Sequence, residues 1–343
     1  MKRCTFLLVF AWSSVFGYHA CVGLENEEAD AAASMTVTGN DGYQLDATLD
    51  LPADSPPEDI NRIVILVHGS GAHSMDVDLT AVTRGQQPNL VFRDIGKALS
   101  SRGFAVLRYH KRNYQLQKDL KRDPDALSED VVEAFRQNPL KYFVEDVLAA
   151  IKLARSEFPQ ASVYLLGHSE GTYVGLQAAH QSPDIAGVAL IGFAEYSTER
   201  LAFEQTVYRP LREFSKLDAN HDRVLDPEEL AAETPLAKAL APSVTVLDRN
   251  QDGSISQAEF QAGNFANLLV TDIFRPFRAQ EARYPRVAEI LKSAKFKVAF
   301  FQGMLDNQTP AYHAMAMELL LTQLGKTDNK RFHYFPELGH ALD

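Results

Sequence analysis

Short apolar runs flanked by polar turns recur along this chain: Ile63–Val67, Phe104–Leu107, Val163–Leu166, Val188–Ile191, Val298–Phe301 and a last one at Phe332–Phe335. They are continuously apolar rather than alternating, which predicts strands buried on both faces, as in a parallel sheet. Between several of them, apolar residues fall at three- and four-residue spacing. That pattern predicts amphipathic helices over Asn89–Ser100, Tyr142–Phe158 and Ala311–Leu324. Strands alternating with helices make an α/β domain with a mostly parallel sheet and right-handed crossovers. Ahead of it, Met35–Leu51 alternates around the turn Asn40-Asp41-Gly42, the pattern of a β-hairpin.

The rhythm breaks once. Roughly a hundred residues separate the strand ending near Phe193 from the next at Val298, far more than an ordinary crossover needs. The organisation expected is therefore a core over residues 35–194, an inserted subdomain over 195–296, and the rest of the core over 297–343. Residues 21–34, acidic and Ala-rich without periodicity, are expected to be a flexible leader.

Residues 1–20 have the make-up of a signal peptide: Lys2 and Arg3, then an apolar run from Cys4 to Phe16 too short to span a bilayer. The protein is thus expected to be exported, to the periplasm or beyond. Loss of Lys2 and Arg3 would take the net charge from −11 to −13. Such an acidic chain is a poor partner for nucleic acid. Cys4 lies in the signal, so only Cys21 remains and no intramolecular disulfide is possible. Cys21 follows Tyr18-His19-Ala20 and resembles a bacterial lipoprotein acylation site; ordinary cleavage after Gly17 or Ala20 is the alternative. The sequence does not set the oligomeric state.

Gly167-His168-Ser169-Glu170-Gly171 carries the clearest chemistry. It follows an apolar strand and opens the helical stretch Thr172–His180. A serine on such a turn has its hydroxyl lifted above the sheet, and small residues on either side let the turn close. The helix N-terminus behind it favours developing negative charge. Ser169 is the candidate nucleophile. His68-Gly69-Ser70-Gly71 ends the strand Ile63–Val67, where the backbone N–H of Ser70 can join that of Glu170 as an oxyanion hole. Asp306 and His340, each just past a strand and in the chain order serine, acid, histidine, are the candidate acid and base. Glu195 is a rival acid.

These segments resemble bacterial α/β-hydrolases of the carboxylesterase and dienelactone-hydrolase-like group. So do Phe92–Leu99 and Gly103–Tyr109. The resemblance covers Met35–Phe193 and Lys297–His340. It implies an α/β-hydrolase fold and hydrolysis of small carboxylic esters through an acyl-enzyme, with no organic cofactor. A peptidase or acyltransferase on the same residues, or a non-catalytic calcium-binding module, are the alternatives. Two features depart from the group. His110-Lys111-Arg112-Asn113 stands where many relatives have Asp-Lys-Arg-Gly, and no helix follows His340.

The insertion carries a second motif. Asp218, Asn220, Asp222, Val224, Asp226 and Glu229 fall at positions 1, 3, 5, 7, 9 and 12 of an EF-hand loop. Asp248, Asn250, Asp252, Ser254, Ser256 and Glu259 repeat the spacing thirty residues on. Up to two structural Ca²⁺ ions are expected there, in a helical cap over the catalytic edge. Position 6 calls for a tight turn; the second loop has Gly253 and the first Arg223.

Overall fold

The computed structural model describes residues 32–53, 56–80, 88–195, 197–240, 243–270 and 275–342. The expected signal peptide and Cys21 lie outside them. Among the described residues no helix is long and apolar enough to cross a membrane.

The chain divides into two compact units. The larger is built on an eight-stranded sheet in the order β1-β2-β4-β3-β5-β6-β9-β10. Its strands are β1 (Ala32–Thr38), β2 (Gln44–Asp50), β3 (Arg62–Val67), β4 (Ala105–Tyr109), β5 (Ser162–His168), β6 (Ile185–Ile191), β9 (Lys297–Gly303) and β10 (Lys330–Phe335). β1 and β2 form the antiparallel hairpin, β2 pairs antiparallel with β4, and the remaining pairs are parallel. The continuously apolar runs are the central strands, and their side chains fill both faces: Ile63, Ile65, Leu66, Leu107, Leu165 and Phe300 are essentially inaccessible.

Helices cover those faces. α1 (Val91–Ser100) packs on β4, α3 (Pro139–Glu157) sends Val144, Val147 and Ile151 into the core, and α4 (Glu170–Gln181) runs back along β5. Between α1 and α3 lies α2 (Arg112–Arg122), which the sequence pattern did not announce. Arg112 at its start is almost wholly buried. It donates to Asp146 of α3 at 2.6 Å and to Asp41 in the hairpin turn at 2.7 Å, between the rings of Tyr43 and Tyr142. One guanidinium thereby ties hairpin, α2 and α3 together. Arg108 makes a two-pronged contact with Asp50 at 2.7 and 2.8 Å, binding β4 to β2.

Two expected boundaries shift. β1 begins at Ala32, inside the stretch expected to be leader, because Ala32–Ser34 already pair with Asp50–Thr48. The inserted unit runs from Ser197 to Arg275 rather than to residue 296. Beyond it, α5 (Val287–Ser293) packs Val287, Ile290 and Leu291 into the main core. It serves as the crossover helix that a parallel β6–β9 connection requires.

The smaller unit has its own core of Phe214, Leu217, Leu225, Leu240, Leu247, Ile255 and Phe260, with the Phe214 and Phe260 rings 5.2 Å apart. Its two short strands, β7 (Val224–Leu225) and β8 (Ile255–Ser256), pair antiparallel.

Candidate active site

Ser169 sits between β5 and α4 at φ 54°, ψ −120°, a conformation that costs energy for any residue with a Cβ. The turn closes because its flanks are bare. A Cβ on Gly167 would meet the Gly171 carbonyl oxygen at 2.2 Å, and one on Gly171 would meet that of Val67 at 2.1 Å. Gly69 is pressed against the serine: a Cβ there would lie 3.2 Å from the Ser169 Cβ. The Ser169 N–H donates to the Ile191 carbonyl at 2.8 Å, locking the elbow to the end of β6.

His340 is held at that same strand end. A Cβ on Gly192 would meet its Nδ1 and Cε1 at 3.0 Å, and the His168 ring is 4.8 Å from its own. Its Nδ1 is 2.8 Å from Asp306 Oδ2. Both residues follow strands, Asp306 after β9 and His340 after β10, and the two turns are keyed at Gly303, where a Cβ would meet the Gly339 carbonyl oxygen at 2.1 Å.

Asp306 is buried and fully engaged. Its Oδ1 accepts from the Gln308 and Thr309 N–H groups at 2.8 and 2.9 Å. Its Oδ2 accepts from Thr309 Oγ1 at 2.8 Å, from Gln302 Nε2 at 3.1 Å and from His340. Burial pushes its pKa up, but His340 and these hydrogen bonds outweigh that and hold the carboxyl below its usual value. With Asp306 Oδ2 as the acceptor at 2.8 Å, the His340 tautomer that makes this hydrogen bond is protonated at Nδ1, which leaves Nε2 free to accept. His168, buried, is pushed down to about 3 by burial and by His340, so its ring is neutral; its Nε2 lies 3.2 Å from the His340 carbonyl oxygen.

Among the described residues the Ser169 hydroxyl makes no hydrogen bond. Serine and histidine are brought together through Ile191 and Gly192 rather than by direct contact, a looseness common before substrate arrives. Glu170 is the first residue of α4, so its N–H has no partner within the helix. The Ser70 N–H has no backbone acceptor among the described residues. Sequence reasoning missed Gln302, Thr309, Gly192 and Lys111, whose parts depend on contacts between distant segments. A buried Gln at the end of an otherwise apolar strand was a signal available for the first.

The smaller unit places the twelve expected metal-ligating residues in two loops of matching shape. Backbone φ is positive at the fourth and sixth positions of both: His221 63° and Arg223 68°, Gln251 62° and Gly253 87°. Leu225 and Ile255, at the eighth positions, pair across β7–β8 and are inaccessible. Asp218 Oδ1 accepts from the Asp222 N–H at 3.1 Å, and Asp248 Oδ1 from that of Asp252 at 3.2 Å. Glu229 and Glu259 each turn back to accept from backbone N–H groups of their own loop, of Ala219 at 2.7 Å and of Arg249 at 2.9 Å. Among the described residues no three His, Cys, Asp or Glu side chains gather into a metal cluster. The oxygen donors in these loops include amide, hydroxyl and main-chain groups as well as carboxylates.

The family is shown by comparison. Residues 62–340 match the model of the α/β-hydrolase fold family, and the chain belongs to it. Esterase EstD of Thermotoga maritima is 34% identical over 145 residues, a match spanning 42% of this chain and 30% of that relative's length. Among solved structures, Est1E from Butyrivibrio proteoclasticus aligns over 90% of this chain and 91% of its own, at 16% identity and TM-score 0.49. An esterase domain from Rhodothermus marinus aligns over 91% and 90%, at 17% and 0.45.

Proposed function

We propose that this chain is an exported serine hydrolase that cleaves small carboxylic esters through an acyl-enzyme on Ser169. The observation that carries the reading is the strained elbow serine bonded to Ile191, beside whose neighbour Gly192 sits a histidine with its Nδ1 held by a saturated, buried carboxylate. The 34% identity to an esterase supports an ester as the substrate class.

In this reading His340 Nε2 takes the Ser169 proton as Oγ attacks the ester carbonyl, and Asp306 steadies the imidazolium that forms. The tetrahedral oxyanion is received by the N–H groups of Ser70 and Glu170. Collapse expels the alcohol, protonated by His340, and leaves the acyl group on Ser169. Water, deprotonated by the same histidine, then releases the acid. The test is labelling by a fluorophosphonate. It should mark Ser169 alone, and Ser169→Ala should abolish both labelling and turnover of p-nitrophenyl acetate. Full activity in that variant would overturn the mechanism.

Ca²⁺ in the smaller unit belongs to the same proposal. The fit rests on the two congruent loops, the β7–β8 pairing and the all-oxygen donor sets at Asp218, Asn220, Asp222, Val224, Asp226 and Glu229 and at Asp248, Asn250, Asp252, Ser254, Ser256 and Glu259. A bound ion would supply the positive charge that draws these carboxylates together and stabilise the folded unit by mass action. Export rests on the composition of residues 1–20. Mass spectrometry of the N-terminus after expression in a bacterial host tests it, and distinguishes a lipid on Cys21 from simple cleavage.

A further inference from the structure

The segment His110–Asn113, which departs from the pattern of the resembling group at its first and last residues, has no part in the mechanism above, yet it grips the loop that carries Ser70. Lys111 is 5% exposed. Its Nζ donates to the Gly69 carbonyl oxygen at 2.6 Å and to Glu170 Oε1 at 2.6 Å, and lies 4.3 Å above the Phe143 ring. Asn113 Nδ2 donates to the Gly71 carbonyl at 3.0 Å. The Lys111 N–H donates to the His73 carbonyl at 3.1 Å, and His110 Nδ1 accepts from the Met75 N–H at 2.8 Å. Four residues in a row thus contribute three that fix the loop from Gly69 to Met75, while Arg112 anchors the segment itself to Asp146 and Asp41.

The geometry of a peptide gives these contacts a direction. In a trans peptide the carbonyl and the following N–H point opposite ways. With the Gly69 oxygen drawn onto Lys111, the Ser70 N–H is turned the other way. The second donor is set by the same device. The Ser169 carbonyl accepts from Thr172 N at 2.9 Å and Thr172 Oγ1 at 2.7 Å, which turns the Glu170 N–H outward. Without an anchor, a glycine-flanked peptide such as Gly69–Ser70 rotates at little cost, and its donor is lost to the oxyanion. An ammonium on the carbonyl also polarises the peptide and strengthens its N–H as a donor.

We propose that Lys111 is a positioning residue for oxyanion stabilisation: it orients the Ser70 N–H through the Gly69 carbonyl and joins that loop to Glu170, the residue supplying the other donor. The inference rests on the serine-hydrolase reading. Glu170 neutralises the buried ammonium, so the pair is carried without an unpaired charge.

The experiment compares wild type, Lys111→Met and Lys111→Arg. It measures kcat and KM on p-nitrophenyl acetate and inhibition by an aryl trifluoromethyl ketone, whose hemiketal on Ser169 carries the oxyanion. Loss of one oxyanion donor lowers kcat by about 10²–10³-fold, so Lys111→Met should lower kcat by up to about 10² with KM within about twofold. Ketone inhibition should weaken in the same proportion. Lys111→Arg should restore most of both. Should the Met variant not fold, by circular dichroism and melting temperature, Lys111→Gln replaces it with the same expected split. A folded variant with wild-type kcat and ketone affinity, or a loss confined to KM, would overturn the inference. Failure of the wild type to react with fluorophosphonate or ketone would instead overturn the hydrolase reading, and the inference with it.

Discussion

Asp306→Asn separates the orienting role of the carboxylate from its bulk. Both oxygens are saturated with donors: two backbone N–H groups on Oδ1, and Thr309 Oγ1, Gln302 Nε2 and His340 on Oδ2. An amide must place its NH₂ at one of these positions. Facing Oδ1's partners it would meet two backbone donors that cannot turn away, so the NH₂ takes the Oδ2 position. There it confronts His340 Nδ1. The imidazole can accept from the amide only by moving its own proton to Nε2, the nitrogen that in the proposed mechanism receives the proton of Ser169. The wrong tautomer costs on the order of 10⁴ in kcat in a serine, histidine and aspartate arrangement, or about 5.5 kcal/mol of barrier at 1.36 per decade. Gln302 Nε2 is left facing the same NH₂, and one unmade buried hydrogen bond costs about 1–3 kcal/mol of stability. The assay is kcat on p-nitrophenyl acetate beside urea unfolding, with Glu195→Gln as the control, expected within about threefold of wild type. A loss below tenfold in a folded Asp306→Asn, or a larger loss in the Glu195 variant, would refute the assignment.

Gly192→Ala should lower kcat by at least about tenfold, because φ is 63° and the new methyl would sit 3.0 Å from the His340 ring; steady-state kinetics beside a melting curve checks this. Removing one partner of the buried pair in Arg112→Met should destabilise by about 3–5 kcal/mol, read by urea titration. Asp306, held below its usual value of 3.8, stabilises the fold fully above that pH; this contribution should vanish as pH falls through its lower folded pKa, visible in unfolding curves between pH 5 and 2. Glu259→Gln should weaken Ca²⁺ binding more than Glu229→Gln, since Gly253 takes its 87° φ without strain and Arg223 takes 68° with it; calorimetric titration decides the order.

Much of the larger unit was legible because parallel strands must be apolar on both faces. Ile63–Val67 and Val163–Leu166 have no other plausible place. The elbow was legible for a related reason, since only bare flanks let the serine turn close. α2 was not: Arg112–Arg122 is mostly charged and amide residues, and Arg112 and Gln115 are buried by ion pairs and hydrogen bonds that no apolar spacing records. The start of β1 was hidden because three small residues carry little pattern, and their strand is defined by the partner Thr48–Asp50. Asp306 and His340 could be picked by position after a strand. The groups that aim them could not, for Gln302, Thr309 and Gly192 act through contacts that exist only once β6, β9 and β10 lie side by side.

That adjacency has a kinetic side. β6 and β9 pair in register from Gly187–Lys297 to Ile191–Phe301, across roughly a hundred intervening residues. Closing so long a loop costs about 1 kcal/mol more than closing an ordinary crossover of some thirty residues, and long-range pairings of this kind form slowly. The smaller unit, with a core of its own, can collapse before they meet and shorten the effective loop. Until the ladder zips, Asp306 and His340, which follow β9 and β10, are not yet beside Gly192. In the proposed reading, the nascent chain therefore presents Ser169 before its acid and base, and the site is complete only when the last two strands dock.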